Sequence, residues 1–206
     1  MATLPKGLFW ARADAPGAEH VGYDDRRGLY ARGTAVAVDP IPYTCRYELT
    51  TDDRWVSGRL EVSAEGTGWL RTLRLELAAG RWRASTGEQG DLDEALRAAG
   101  HASTGLPGTE EPSRLEGALD VDLGGSPLTN TLPVRRLGLL TAPVGTARTV
   151  KVAWVLLPGL VVLPADQTYT SLGERRVQFA SGTFTAELEL DAEGFVTRYP
   201  GLANRA

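Results

Sequence analysis

The chain has 206 residues and a net charge of −4, from 22 basic and 26 acidic side chains, with two histidines and one cysteine. A chain of this length buries roughly 70% of its unfolded surface, enough for a sizeable core. Its acidic balance argues against a nucleic-acid partner gripped through phosphates. The lone Cys45 excludes an internal disulfide and points to a cytoplasmic protein. Only Lys6 and Lys151 are lysines, so the arginine excess reads as compositional bias. The apolar stretch Leu8–Ala11 is too short for a signal peptide. The longest apolar run, Val152–Leu163, is interrupted by Pro158-Gly159 and falls short of the roughly 20 residues that span a bilayer. The expectation is one domain over residues 1–206 without a transmembrane segment.

In chain order, strand signals dominate. Tyr43, Cys45, Tyr47 and Leu49 alternate with polar residues, and Asp52-Asp53 turns the chain into Trp55–Val62. Trp69, Leu73, Leu75 and Leu77 share one face, and Ala79-Gly80 forms a hairpin turn into Arg81–Ala84. Asp91–Ala99 breaks the pattern with Leu92, Ala95, Leu96 and Ala99 on one helical face and acids in its first turn. The Gly, Pro and Ser-rich stretch Gly100–Ser113 reads as a mobile loop, so residues 87–114 are expected to form an inserted helix and loop.

Leu115–Leu123 alternates again, with apolar residues on one side and Glu116, Asp120 and Asp122 on the other. Gly124-Gly125 breaks the strand and Ser126-Pro127 turns it. A helix is expected over about Thr129–Leu139, with Thr129, Asn130 and Thr131 as caps and Pro133 near the first turn. Phe184, Ala186, Leu188 and Leu190 alternate once more, and Asp191–Gly194 turns into Phe195–Tyr199. One-sided alternation belongs to antiparallel sheet with a wet and a dry face. The fold class is mainly β.

Asp120 and Asp122 lie on one face of a strand, close enough to share a divalent cation or to act as an acid–base pair. The favoured reading is structural: a carboxylate paired with Arg135 or Arg136 at the strand–helix junction. The same arginines have the planar fork that clamps a phosphate or carboxylate headgroup. Five tryptophans stand against four phenylalanines. Trp69 and Trp154, in strongly apolar strands, read as core. Trp55 and Trp82, flanked by arginines, read as candidates for a cleft rim where a sugar ring could stack. Gln167 and Tyr169 begin a polar–aromatic strand after Pro164, a second candidate rim. His20 and His101 are the only histidines, so a Ser-His-Asp set or a histidine-rich zinc site would have to use them. No phosphate-cradling glycine loop or nucleophile-elbow motif occurs. Cys45 faces the apolar side of its strand, where a thiol is inert packing.

The run DVDLGGSPLTNTLPVRRLGL, from Asp120 to Leu139, resembles the signature block of the family named "Putative glycolipid-binding", long catalogued as a domain of unknown function. The likeness continues through Val152–Pro158, Gln167–Leu172, Phe184–Leu190 and Phe195–Arg205, and is thinner over Tyr47–Val62 and Gly80–Arg83. It implies a spiral β-roll, a long antiparallel sheet wrapped around one central helix and likened to bacterial lipoprotein carriers. Family members often have cysteine where this chain has Ala118, so thiol chemistry there is not implied. The resulting expectation is a non-catalytic binding protein for a glycolipid or other amphipathic small molecule, with neither metal nor cofactor. Its ligand-binding residues would be drawn from Arg135, Arg136, Asp120, Asp122, Trp55, Trp82, Gln167 and Tyr169. The alternatives are a carboxylate-dependent, metal-assisted enzyme using Asp120 and Asp122, and a protein-interaction module.

Overall fold

Alternation along the chain is realised as strands in a computed structural model that describes residues 6–206. The elements are β1 (Lys6–Arg12), β2 (Gly17–Asp24), β3 (Tyr30–Ala37), β4 (Tyr43–Thr51), β5 (Ser57–Gly66), β6 (Trp69–Ala78), β7 (Arg81–Gly90) and α1 (Leu92–Ala98). After these come β8 (Asp120–Leu123), α2 (Thr131–Arg136), β9 (Ala147–Leu156), β10 (Val161–Gly173), β11 (Arg176–Ser181), β12 (Phe184–Leu190), β13 (Val196–Tyr199) and β14 (Ala203–Arg205). All 14 strands form one sheet, in the order β7 to β1, then β14 down to β8. Neighbours pair antiparallel, and β1 joins the halves by pairing with β14, Trp10 opposite Arg205. The exception is β8, which runs parallel to β9 with Asp122 opposite Trp154. A parallel pair requires a long crossover, and the segment carrying α2 supplies it.

The sheet coils until its two ends meet. Ser57 N donates to Leu119 O at 2.9 Å and Trp82 Nε1 to Ala118 O at 3.0 Å, which ties β5 and β7 to the approach of β8. Coiling creates two apolar cores. Val121, Leu123, Ala153, Val155 and Val162 belong to the first. Val150, Val152, Tyr169 and Phe179 belong to the second. The strands β8–β10 are therefore buried on both faces. The helical segment between β8 and β9 also spans the two, with Leu128 and Leu132 in the first core and Val134 and Leu139 in the second. This is the spiral β-roll that the resemblance implied.

Several boundaries differ from the sequence expectations. The strand read over Leu115–Leu123 shortens to β8, preceded by a 3-10 turn at Pro112–Leu115. The central helix shrinks to α2, preceded by a 3-10 turn at Pro127–Asn130. It stops because Gly138 adopts φ 64°, and the Leu139 and Gly138 amides fold back onto Val134 O at 3.1 Å and Arg135 O at 3.2 Å. That is the glycine-terminated end that satisfies the last helical carbonyls. Asn130 and Thr131 make no side-chain caps. In contrast, α1 forms as expected, with the Asp91 carboxylate accepting Glu94 N at 2.8 Å and Leu92 and Leu96 buried.

The loop after α1 is pinned, contrary to its reading as mobile. Arg71, 1% exposed, donates from Nη1 to Thr104 Oγ1 at 2.8 Å and to Gly105 O at 2.6 Å. The Asp93 carboxylate accepts Thr104 N at 2.9 Å, and Gly108 N reaches Leu160 O at 2.8 Å. Composition alone does not show a buried guanidinium reaching in from β6. Among the described residues no helix is long and apolar enough to cross a membrane.

Candidate ligand-binding site

The parity of β8 decides where its acids point. Val121 and Leu123 enter the first core, so Asp120 and Asp122 face the second core and not solvent. Asp120 is fully buried and receives Arg136 through Nε at 3.1 Å and Nη2 at 2.5 Å. This is the expected strand–helix ion pair, and burial still pushes the Asp120 carboxyl up against the pull of Arg136.

Asp122 is different. Its Oδ1 accepts Thr129 Oγ1 at 2.8 Å and its Oδ2 accepts Gln167 Nε2 at 2.6 Å, with no arginine or lysine paired to it among the described residues. Burial raises its pKa, opposed by those two neutral donors. The network continues inward: Tyr169 Oη donates to Gln167 Oε1 at 3.0 Å and accepts Asn130 Nδ2 at 2.9 Å. Thr129 and Asn130, expected as helix caps, serve this layer. Each aspartate thus has its own partners, and no group of three metal-ligating side chains gathers among the described residues.

A pocket of about 260 Å³ opens above this layer, beside the Gly124–Ser126 turn. Asp122, Asn130 and Gln167 supply its polar floor, and Trp154, Phe179, Phe184 and Tyr199 its aromatic wall. Trp154, read from the sequence as core, is 36% exposed here because the second core ends at that point of β9. A larger, shallow depression of about 630 Å³ lies over β3–β7. Its charges neutralise one another, as in Arg32–Glu48 at 2.9 Å and Arg74–Glu61 at 3.5 Å, so it offers no comparable unpaired group.

The structure does not bring the remaining sequence candidates to this pocket. Arg135 stacks on Trp55, its guanidinium carbon 4.2 Å from the ring centroid, and donates to Glu193 O. Trp55 is 7% exposed beneath that arginine, in a turn at φ 67°. Trp82 is buried, its indole N–H held by Ala118 O. Trp55 does not form the expected cleft rim, because Arg135 covers its ring; Trp82 borders a separate hollow of about 360 Å³ with Arg81, Pro112 and Glu116, which Asp122 does not line.

Sequence reasoning missed Glu19. It sits on β2 in phase with Val21 and Tyr23, at 3% exposure. Its Oε1 accepts Ser126 Oγ at 2.7 Å and the Tyr47 hydroxyl, while Oε2 has no partner. Burial raises its pKa to about 7. Tyr47 reaches it across Gly33, its cross-strand neighbour, where a Cβ would stand 2.1 Å from Tyr47 Cζ. The available signal was a glutamate occupying a core phase of an alternating segment. The rim aromatics Phe179 and Phe184 carried no local signal, since only the coiling of the sheet brings β11 and β12 to the turn after β8.

These features define a spiral β-roll protein with a polar-floored, aromatic-walled pocket at the mouth of its second core. The chain belongs to the family described as "Putative glycolipid-binding", whose model matches residues 7–205. It is similar to the crystal structure of a DUF1089 family protein from Pseudomonas aeruginosa, with a TM-score of 0.70, 26% identity and 95% of each chain covered. No curated protein matches the chain significantly.

Proposed function

We propose that this is a non-catalytic binding protein whose pocket beside Gly124–Ser126 receives the polar headgroup of a glycolipid or similar amphipathic molecule. The observation that carries this reading is the junction of an amide and carboxylate floor with an aromatic wall, the combination that hydrogen-bonds hydroxyls and stacks on a sugar ring. Size limits what enters. At about 260 Å³ the pocket lies below the roughly 300–1,000 Å³ of drug-sized ligand sites. The space around the helical segment is filled by Leu128 and Leu132, so the hydrocarbon is not swallowed between helix and sheet. It lies outside, along Trp154, its cross-strand neighbour Leu163 and Phe184, which are 36%, 37% and 49% exposed. The alternative of an enzyme using Asp120 and Asp122 together has less support, because Arg136 occupies Asp120.

The test is titration of a short-chain alkyl glycoside below its micelle concentration, followed by calorimetry, with organic extraction and mass spectrometry of the purified protein alongside. Saturable binding weakened about tenfold or more by Phe184→Ala is expected, from the aromatic surface lost. No saturable heat and no extracted lipid would overturn the reading.

A further inference from the structure

The partners of the floor's carboxyl narrow the headgroup further, and this step rests on the pocket reading above. Asp122 presents a carboxylate to a closed-in site, yet only the neutral donors Thr129 and Gln167 answer it. Neutral donors leave an ionised Asp122 without a counter-charge, and a buried charge is costly unless an opposite charge meets it. Nearby Arg136 does not supply it, being engaged by Asp120 at 2.5 Å. The opposite wall is a triangle of rings, with centroids 6.1 Å apart for Phe179–Phe184, 6.1 Å for Phe179–Tyr199 and 6.3 Å for Phe184–Tyr199. All three rings line the pocket that holds Asp122, and ring faces attract a cation within roughly 6 Å of their centroids. A divalent metal is a poor match, since Ca²⁺ and Mg²⁺ take six or more oxygen ligands and Zn²⁺ about four nitrogen, sulfur or oxygen ligands, whereas this floor has one carboxylate and no cluster of metal-ligating side chains among the described residues.

We propose that the headgroup recognised here carries an ammonium group, seated between the Asp122 carboxylate and the Phe179, Phe184 and Tyr199 rings. An amino sugar supplies that group as a primary ammonium, and a choline-type head as a quaternary one. The shared chemistry is a compact organic cation on an amphipathic molecule. A primary ammonium also donates hydrogen bonds to Asp122, which a quaternary one cannot.

Three probes of equal chain length test this by calorimetry: an alkyl glucoside, the matching alkyl 2-amino-2-deoxyglucoside and an alkyltrimethylammonium. A cationic probe should bind about tenfold or more tightly than the neutral glucoside, the scale of a charge-assisted contact. That advantage should vanish in Asp122→Asn, and whichever cation binds tighter identifies the source. Half-exposed Phe184 provides a second variant, Phe184→Leu, that spares the buried network. It should weaken the cationic probe more than the glucoside. If the three probes bind equally, or the cation's advantage survives Asp122→Asn or Phe184→Leu, the ammonium proposal is overturned while the pocket reading stands. If none binds, the pocket reading itself falls.

Discussion

Glu19 makes the stability of this protein depend on pH in a direction opposite to that of salt-bridged carboxylates. Raising its carboxyl from an ordinary 4.5 to about 7 by burial corresponds to about 3 kcal/mol, at about 1.4 kcal/mol per pH unit. Below the ordinary value the group is neutral in both folded and unfolded chains. Between that value and about 7 the unfolded chain releases the proton while the folded chain keeps it. Stability from this group therefore falls as pH rises through that window and levels off above it. Around the carboxyl, Tyr47 and Ser126 donate to the same oxygen and Arg12 opposes the shift weakly from a distance, so no cation cancels it locally. Glu19→Gln keeps the shape and removes the titration. Urea unfolding of both proteins at pH 5, 6, 7 and 8, followed by tryptophan fluorescence, isolates this group by difference. The variant should gain about 2.5 kcal/mol relative to the parent between the lowest and highest pH, the rest of the effect already being present at the lowest. Parallel curves, or a parent that gains on the variant as pH rises, would refute the reasoning.

Other consequences follow from named contacts. Asp120→Ala strands the Arg136 guanidinium, whose side chain is 13% exposed, and should cost about 3–5 kcal/mol in urea unfolding, with much of the loss recovered by also replacing Arg136 with Leu. Arg71→Met should cost about 2–3 kcal/mol and expose the Gly100–Pro107 segment to limited proteolysis, because that arginine binds Thr104 and Gly105 directly. Gly33→Ala sets a Cβ against the Tyr47 ring and should lower the melting temperature, at a cost of about 1–3 kcal/mol. Burial pushes the Cys45 thiol up to about 12, with Glu19 adding to the effect, so a thiol-specific disulfide reagent at pH 8 should react only as the protein unfolds.

The residues that were legible in the sequence are those whose neighbours are local. Tyr43–Thr51 and Phe184–Leu190 alternate because each strand has one buried face, and that parity alone placed Cys45 in the core. The Asp120–Arg136 pair was readable because both partners lie in one short block. The N-terminal strands β1–β3 were not read, since Gly, Ala and His dilute their alternation and pairing with β4 and β14 supplies the order they lack locally. Trp154 was misassigned for a related reason. A fully buried strand and a strand running out of cover look alike as apolar runs, and only the coiling of the sheet decides which residue meets solvent.

That distinction also explains why so much chemistry gathers at one turn. A strand buried on both faces cannot end in an ordinary wet loop, because its last polar groups emerge into protein. At the end of β8 the chain solves this three ways. Gly124 N bonds Val155 O at 2.8 Å, continuing the ladder, and Ser126 Oγ crosses to Glu19 on β2. Gly125, at φ 81°, lets the turn pass where a Cβ would stand 2.6 Å from Arg12 Nη1. The turn is thereby fastened to the N-terminal half of the sheet through Glu19 and Arg12, and to the C-terminal half through Asp122 and Gln167. Asp122, Ser126 and Gln167, which fasten this seam, also line the pocket, so the fold sets the position of the proposed binding floor. Substitutions there should therefore lose stability and ligand affinity together, whereas changes at the exposed rim residues Trp154 and Phe184 should lose affinity alone.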